Sequence, residues 1–234
     1  MSILGIIPAR GGSKRIPRKN VRFFEGKPIL AYSIEAALRT QLFDEVMVST
    51  DDLEIAEVAK SFGASVPFQR SQANSNDCAG TAEVLLEVIG DYERRRQVFE
   101  YACCIYPTAP LTTSELLKRG FEVMKRAKYD SVFPILRFSY PIQRALEFKE
   151  GRVQMIWPEN YAARSQDLPA AYHDAGQFYW FGVEAMKKQK ALFMKNSGAI
   201  EISPLDAQDI DNVADWNIAE LKYRFRSGKD VVKL

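Results

Sequence analysis

A run of basic residues and glycines near the amino terminus is the part of this sequence best suited to hold an anionic ligand. A short apolar run, residues 3–7, stops at Pro8, and the chain continues as ARGGSKRIPRKN over residues 9–20. Glycines let the backbone turn tightly and approach a ligand, while Arg and Lys neutralise phosphate oxygens. The spacing is neither that of a Walker A loop nor that of a GxGxxG motif. We therefore predict a phosphate-binding loop of another type. The alternative, a solvated basic turn, leaves the glycines and prolines unexplained.

Three cations of this loop, Arg10, Lys14 and Lys19, have the character needed to neutralise a triphosphate. One planar guanidinium and two mobile ammonium groups suit a ligand that carries about four negative charges. A departing pyrophosphate develops further negative charge, so the same groups would serve catalysis as well as binding. The neighbouring Arg15 and Arg18 are interpreted as solvated.

A second group of charged residues lies late in the chain, where Asp209 and Asp211 are two positions apart. In an extended segment both carboxylates project from one side. Such a pair suits Mg²⁺ when substrate phosphates and water complete its octahedron. The alternative is capping of a helix predicted from Val213, because acids are favourable at a helix amino terminus. We favour the metal interpretation, in which Asp211 and Asn212 could also act as caps.

Other polar residues are less specific. Asp51 and Asp52 precede a predicted helix, so we interpret them as a cap and not as catalysts. His173 is the only histidine, and it could be a general base, a hydrogen-bonding partner of the substrate or a surface residue. Arg164 and Gln166 could contact an acidic, polyhydroxylated ligand.

The elements that would position these residues alternate between strand and helix. Apolar and β-branched runs predict strands near residues 3–7, 45–50, 101–106, 131–136, 177–181 and 199–202. Helical spacing and capping residues predict helices near residues 28–38, 53–62, 81–96, 114–127 and 213–225. This order is typical of an α/β fold with a mostly parallel sheet covered on both faces. Ligands of such folds bind at the carboxyl ends of the strands, where residues 10–20, 51–52 and 107–108 fall.

Residues 137–176 interrupt this alternation. The segment is rich in aromatic residues, contains Tyr140-Pro141 and Trp157-Pro158, and fits no compact helix. We predict an inserted arm or lid within one domain spanning residues 1–234, and its exposed aromatics suggest a dimer contact. The alternative is an ordinary long surface excursion.

Composition limits the possible partners and the location. The 234 residues are 47% hydrophobic and 26% charged, with a net charge of +2. These values indicate a globular protein and argue against nucleic acid or a membrane as its main partner. The sequence offers no apolar run near the ~20 residues that span a bilayer and no signal-peptide pattern, so we expect a cytoplasmic protein. Adjacent Cys103 and Cys104 point to opposite faces of a predicted strand, which favours buried structural thiols.

Several motifs together resemble those of a known family. They are PARGGSKRIPRKN (residues 8–20), STDD (49–52), YPTAPL (106–111), RSQDLP (164–169) and DID (209–211). In these motifs the chain resembles the acylneuraminate cytidylyltransferases, or CMP-sialic acid synthetases, from the first strand to the last helix. The pseudaminic acid branch of that family is the most similar, on CCIYPTAP (103–110), FSYPIQRA (138–145), MIWPEN (155–160) and YHDAGQFYWF (172–181).

The resemblance implies a three-layer Rossmann-like sheet of the nucleotide-diphospho-sugar transferase type. It also implies attack of a nonulosonic acid's anomeric hydroxyl on the α-phosphate of CTP, with Mg²⁺, by a homodimer whose arm reaches the partner's sugar site. The matching positions make Arg10, Lys14 and Lys19 the triphosphate contacts and Asp209 with Asp211 the metal ligands. They place Asn20, Arg70, Asp77 and Thr81 around the cytidine, and Arg164, Gln166 and Gln177 near the sugar.

Departures from the family pattern bear on the sugar. Sialic acid enzymes usually show Gln, Ser and Asn where this chain has Tyr106, Ala109 and Ala175. Because these positions lie toward the sugar, a nine-carbon acid other than sialic acid is expected, and the resemblance to the pseudaminic acid branch implies pseudaminic acid. Sialic acid or an eight-carbon ulosonate is the alternative. Tyr106 and His173 belong to the part of the site that would decide. A non-catalytic protein that binds nucleotide sugar is a further alternative. Arg15 replaces a common Gly, so the loop geometry is open at that point.

Overall fold

The computed structural model describes residues 1–76 and 79–228, and the predicted cytidine contact Asp77 lies outside them. The strands are β1 (Ile3–Pro8), β2 (Phe23–Phe24), β3 (Lys27–Pro28), β4 (Glu45–Ser49), β5 (Tyr101–Ile105), β6 (Ser131–Arg137), β7 (Leu146–Lys149), β8 (Arg152–Met155), β9 (Tyr172–Asp174), β10 (Phe178–Gly182) and β11 (Ser197–Glu201). The helices are α1 (Ile29–Thr40), α2 (Leu53–Ser61), α3 (Thr81–Arg94), α4 (Ser114–Ala127), α5 (Val183–Gln189) and α6 (Val213–Ser227).

The main sheet has the strand order β11-β6-β10-β5-β1-β4. Strand β1 is parallel to both of its neighbours, and β6 is parallel to β11. Strand β10 is antiparallel to β5 and β6, and β9 is antiparallel to the carboxyl-terminal part of β6. The chain enters β9 and β10 at the carboxyl edge of the sheet, so these strands must run back across it. The prediction of a mostly parallel sheet is confirmed.

Helices cover both faces of this sheet. Side chains of α1, α2 and α4 form the core on one face, and those of α3 and α5 form the core on the other. In α4, Leu117, Phe121 and Met124 are buried at helical spacing, which explains why this segment packs as a helix. Cys103 and Cys104 are both buried and contribute to opposite cores, as the strand alternation predicts.

Capping residues fix where the helices begin. Asp52 accepts the Ile55 N–H at 3.0 Å and so caps α2, which confirms its predicted role. Thr113 accepts the Leu116 N–H at 3.2 Å and caps α4 in the same way. Helix α2 therefore begins shortly after the carboxyl end of β4, whereas residues 106–113 separate α4 from β5.

The segment between β6 and β9 leaves the main sheet. Strands β7 and β8 form a separate hairpin whose turn uses Gly151 at φ +76°. Leu146, Phe148 and Val153 of this hairpin are exposed. The rest of the segment contains short 3-10 turns. Within the described residues, no helix is long and apolar enough to cross a membrane.

Candidate active site

A cavity of about 690 Å³ lies at the carboxyl edge of β1 and β5. The loop after β1, the connection from α2 to α3, the segment after β5 and the segment before α6 all contribute to its walls. It brings together nine of the residues singled out from the sequence: Arg10, Lys14, Lys19, Asn20, Arg70, Thr81, Tyr106, Asp209 and Asp211.

The basic loop and the late aspartates meet directly in this cavity. Lys19 Nζ donates a hydrogen bond of 2.7 Å to the carbonyl oxygen of Ile210, the residue between the two aspartates. The guanidinium of Arg15, which the sequence had led us to interpret as solvated, lies 2.7 Å from the Asp211 carboxylate. Two motifs about 190 positions apart in the sequence thus form one charged site.

Local hydrogen bonds shape the loop itself. The Gly11 N–H donates to Asp51 Oδ1 at 2.9 Å, and Asn20 Nδ2 donates to the Arg10 carbonyl at 2.9 Å. A Cβ at Gly11 would lie 2.8 Å from Asp52 Oδ2, so this close approach requires glycine. Asn20 is buried, and its hydrogen bond stabilises the conformation of the loop. Of the two aspartates after β4, Asp52 caps α2, whereas Asp51, which we had also interpreted as part of the cap, supports the loop instead.

A small apolar cluster lies under both motifs. Ile16 of the loop and Ile210 of the late segment are fully buried in it, together with Phe24 and Trp216. The rings of Phe24 and Trp216 meet edge-on with centroids 5.5 Å apart. Burial of these side chains fixes the backbone on both sides of the cavity, so the charged groups need not attract one another to stay in place.

The surroundings shift the protonation of the central groups. Burial lowers the pKa of Lys19, and the carboxylates of Asp211 and Asp209 partly oppose this effect. Burial of the Asp209 carboxyl raises the pKa of Asp209, and the negative charge of Asp211 raises it further. The negative charges of neighbouring carboxylates repel each other, and a bound cation would relieve this repulsion.

The late aspartates and the helix cap have separate partners. Asn212 is the residue that caps α6, and its side chain accepts the Asp215 N–H at 3.1 Å. Asp215 in turn accepts the N–H groups of Asp211 and Asn212. The side chains of Asp209 and Asp211 remain on the cavity wall. Within residues 1–76 and 79–228, no group of three potential ligands from His, Cys, Asp and Glu could hold a metal alone, so a metal here would draw further ligands from substrate and water.

Arg70 and the loop that follows it form another wall. Arg70 is buried, where Nε donates to Ser49 Oγ at 3.0 Å and Nη2 donates to the Ser49 carbonyl. Burial lowers the pKa of its guanidinium. Glu87 of α3 accepts the Ser71 N–H at 2.7 Å and the Asn74 side-chain amide, which fastens the loop to the helix.

Four residues predicted on the sugar side do not line this cavity. Arg164 is exposed and pairs with Asp167 at 2.8 Å, and Gln166 lines a separate cavity of about 560 Å³ beside the arm. His173 is exposed, with its ring centroid 4.8 Å from that of Phe138. Gln177 is buried, and its Nε2 donates to the Asp206 carbonyl at 2.6 Å.

Sequence reasoning missed the asparagines of one cavity wall. Asn74 and Asn76 line the cavity from the loop after Arg70, whereas Ser13 and Thr108 line it from the loops after β1 and β5 that the sequence had placed at this edge. The polar run SQANSND at residues 71–77 was the available signal for the asparagines. Short polar side chains in a loop carry little information until the topology places that loop.

Comparisons with known proteins agree with this geometry. The cytidylyltransferase family profile matches residues 4–211. A Campylobacter jejuni protein named pseudaminic acid cytidylyltransferase is 42% identical over 96% of this chain and 97% of its own length. A Legionella pneumophila protein named CMP-N,N'-diacetyllegionaminic acid synthase is 30% identical over 94% of this chain and 95% of its own.

A solved structure of similar fold is that of CMP:2-keto-3-deoxy-manno-octonic acid synthetase complexed with CTP. It superposes with a TM-score of 0.71 at 17% identity, covering 97% of this chain and all of that chain. At this identity the likeness concerns the fold alone. The fold and the family that the sequence predicted are both confirmed. The chain belongs to the cytidylyltransferase family.

Proposed function

We propose that this protein transfers CMP from CTP to the anomeric hydroxyl of pseudaminic acid and releases pyrophosphate. The names of its relatives support the substrate pair, and the cavity supplies groups suited to it. The observation that carries the proposal is the junction at Ile210, where Lys19 joins the basic loop to the two aspartates. This junction puts cations and carboxylates within one cavity, as nucleotidyl transfer from a triphosphate requires.

The cations of the loop would hold the triphosphate. Arg10 and Lys14 line the cavity together with Lys19, so all three can neutralise phosphate oxygens. Their positive charge would also stabilise the departing pyrophosphate, since that group gains charge as the bond to the α-phosphorus breaks. The protein acts here by electrostatics and alignment, without a covalent intermediate.

The two aspartates fit a magnesium ion. Asp209 and Asp211 would hold it, because they are hard oxygen ligands on one wall whose charges disfavour each other. A magnesium ion bound there would supply positive charge to the phosphate oxygens. Arg15 pairs with Asp211 in the structure, so binding of the ion and its phosphates would compete with this surface contact.

The arm supports a homodimer. Tyr140, Phe148 and Tyr161 expose most of their side chains at 83%, 71% and 77%. Several large exposed aromatic side chains on one segment are typical of a protein interface. A second copy would cover them and could bring its own Arg164 and Gln166 toward the sugar. We predict a dimer by sedimentation or light scattering, and a shift toward monomer in Phe148→Glu.

The decisive experiment supplies CTP and Mg²⁺ with pseudaminic acid or with N-acetylneuraminic acid and identifies the products by mass. CMP-pseudaminic acid as the main product supports the proposal. CMP-N-acetylneuraminic acid as the main product would reassign the sugar, and CTP binding without either product would indicate a non-catalytic binder. We expect the reaction to occur in the cytoplasm, where CTP is available.

A further inference from the structure

The segment that carries the two aspartates of the cavity is irregular backbone, and side chains supply its hydrogen bonds. Residues 207–212 lead into α6 and belong to neither a strand nor a helix. Backbone carbonyls in such a segment need donors from elsewhere. Lys222 of α6 donates from Nζ to the Ala207 carbonyl at 2.7 Å. Lys19 holds the Ile210 carbonyl from the opposite side, as described above. The conformation of the segment therefore depends on lysines from two distant elements.

Lys222 also orients the side chain that lies next to the first aspartate. Its Nζ donates to Gln208 Oε1 at 2.9 Å. An ammonium group can only donate, so the amide oxygen of Gln208 must face Lys222 and the amide nitrogen must face away from it. That nitrogen donates to the Asp209 carbonyl at 3.0 Å. A continuous line of hydrogen bonds therefore runs from α6 to the backbone of Asp209.

Burial alternates with exposure to the cavity along this segment. Ala207 and Ile210 are buried, whereas Asp209 and Asp211 line the cavity. A rotation of the backbone between the two buried residues would carry the Asp209 carboxylate off the cavity wall. The hydrogen bonds of Lys222 oppose that rotation, although Lys222 does not itself line the cavity.

Building on the proposed function, we propose that Lys222 is a positioning residue for the aspartate pair that would hold magnesium. Its two hydrogen bonds fix residues 207–209, so that the carboxylates of Asp209 and Asp211 are already in place on the cavity wall. Groups that orient metal ligands raise the affinity for the ion, because the ligands then lose less freedom when it binds. Helix α6 is suited to this task, since Trp216 is buried and packs the helix against the apolar cluster.

Lys222→Met tests this role, since methionine keeps an unbranched apolar side chain and removes the donors. The Mg²⁺ concentration that gives half-maximal pyrophosphate release should rise about tenfold, the lower end of the cost of losing a group that holds a metal ligand in place. Saturating Mg²⁺ should restore most of the turnover, because both carboxylates are still present. Arg224→Met is the matched control, since Arg224 is a cation of the same helix that pairs with Glu25. It should leave the Mg²⁺ dependence unchanged.

A second variant and a direct measurement of ion binding separate positioning from a loss of fold. Gln208→Leu breaks the line to Asp209 but leaves the hydrogen bond from Lys222 to Ala207, so it should shift the Mg²⁺ dependence in the same direction by a smaller factor. Mn²⁺ binding to the protein without substrates, followed by electron paramagnetic resonance, should weaken about tenfold in Lys222→Met. Asp211→Asn identifies the part of this binding that belongs to the site. Thermal unfolding of each variant shows whether the fold is retained.

The outcomes distinguish this proposal from the proposed function. A purely structural Lys222 would lower the unfolding temperature and reduce turnover by one factor at every Mg²⁺ concentration, with Mn²⁺ binding unchanged. That result, or equal Mg²⁺ dependence in Lys222→Met and Arg224→Met, would overturn the positioning role and leave the proposed function standing. Lack of CMP-pseudaminic acid formation by the wild type would overturn the proposed reaction. The Mn²⁺ measurement needs no sugar, so it decides on Lys222 in either case.

Discussion

Lys19 Nζ lies 2.7 Å from the carbonyl oxygen of Ile210, and this contact joins the first and last functional segments of the chain. The side chain of Ile210 is buried in the same apolar cluster as Ile16, so packing holds in place the backbone that accepts this hydrogen bond. A lysine held by a carbonyl keeps two of its three protons for other acceptors. Lys19 lines the cavity together with Asp209 and Asp211, so the remaining protons face the site where we propose that the phosphates bind.

Removal of this lysine should strongly reduce turnover without unfolding the protein. Lys19→Ala takes away both the charge and the link to Ile210, and loss of such electrostatic stabilisation costs about a hundred- to a thousandfold in rate. Pyrophosphate release measures the effect. Lys60→Ala, which removes an exposed lysine paired with Glu57 on α2, is the control. Near-normal release by Lys19→Ala would contradict the catalytic role that we propose for Lys19.

Two neighbouring substitutions should separate metal binding from capping. Asp211→Asn should lower turnover about a hundredfold or more, because a proposed metal ligand loses its charge. Asn212→Ala removes the cap of α6 and should cost about 1 kcal/mol of unfolding free energy with turnover retained. Turnover is measured across a magnesium titration, and stability by urea unfolding. The reverse pattern would assign Asp211 to the helix instead.

Glu87 should matter for nucleotide binding although it does not line the cavity. Burial would raise the pKa of Glu87, but hydrogen bonds from Asn74 and Ser71 outweigh it and hold the pKa below its ordinary value. Glu87→Gln weakens the hydrogen bonds that attach the loop to α3. We therefore expect the KM for CTP to rise about three- to tenfold. Glu93→Gln, on the same helix and paired with Lys187, should leave it unchanged. Equal behaviour of the two variants would refute the anchoring role.

Asp52 should contribute to stability in a pH-dependent manner. The hydrogen bond from Arg18, aided by the Ile55 N–H, lowers the pKa of Asp52 against the effect of partial burial. The contribution is therefore complete above the unfolded-state pKa of about 3.9 and is lost as the pH falls through the lower folded-state pKa. Arg18 is 41% exposed, so solvent screening limits the value to about 1 kcal/mol or less.

Urea unfolding of Asp52→Asn checks this prediction, since Asn preserves the cap and removes the charge. The variant should be less stable than wild type at pH 7, and the two should converge as the pH falls through and below the lowered folded-state pKa of Asp52. A difference that persists unchanged at low pH would show that the ion pair is not its source.

Local patterns predicted most of the fold. The buried run of β1 and the capping residues Asp52 and Thr113 act through near neighbours, so their signals are readable in the sequence. The hairpin of β2 and β3 ahead of α1 was not foreseen, because two-residue strands leave no periodicity. The reversed direction of β10 depends on where the chain returns to the sheet, which is a property of the whole topology.

The site was predictable to a lesser degree. Residue type and spacing identified Lys19, Asp209 and Asp211, and all three line the cavity. Contacts such as that of Arg15 with Asp211 join distant segments, and the sequence gives no signal for them.

Strand β5 places one thiol in each helical layer of the protein, Cys103 on one face and Cys104 on the other. Burial raises the pKa of both thiols, so neither reacts while its layer stays closed. In single-cysteine variants, the rate of alkylation would report separately how often each layer opens. These two cysteines thus serve as native probes of local opening, one for each side of the sheet.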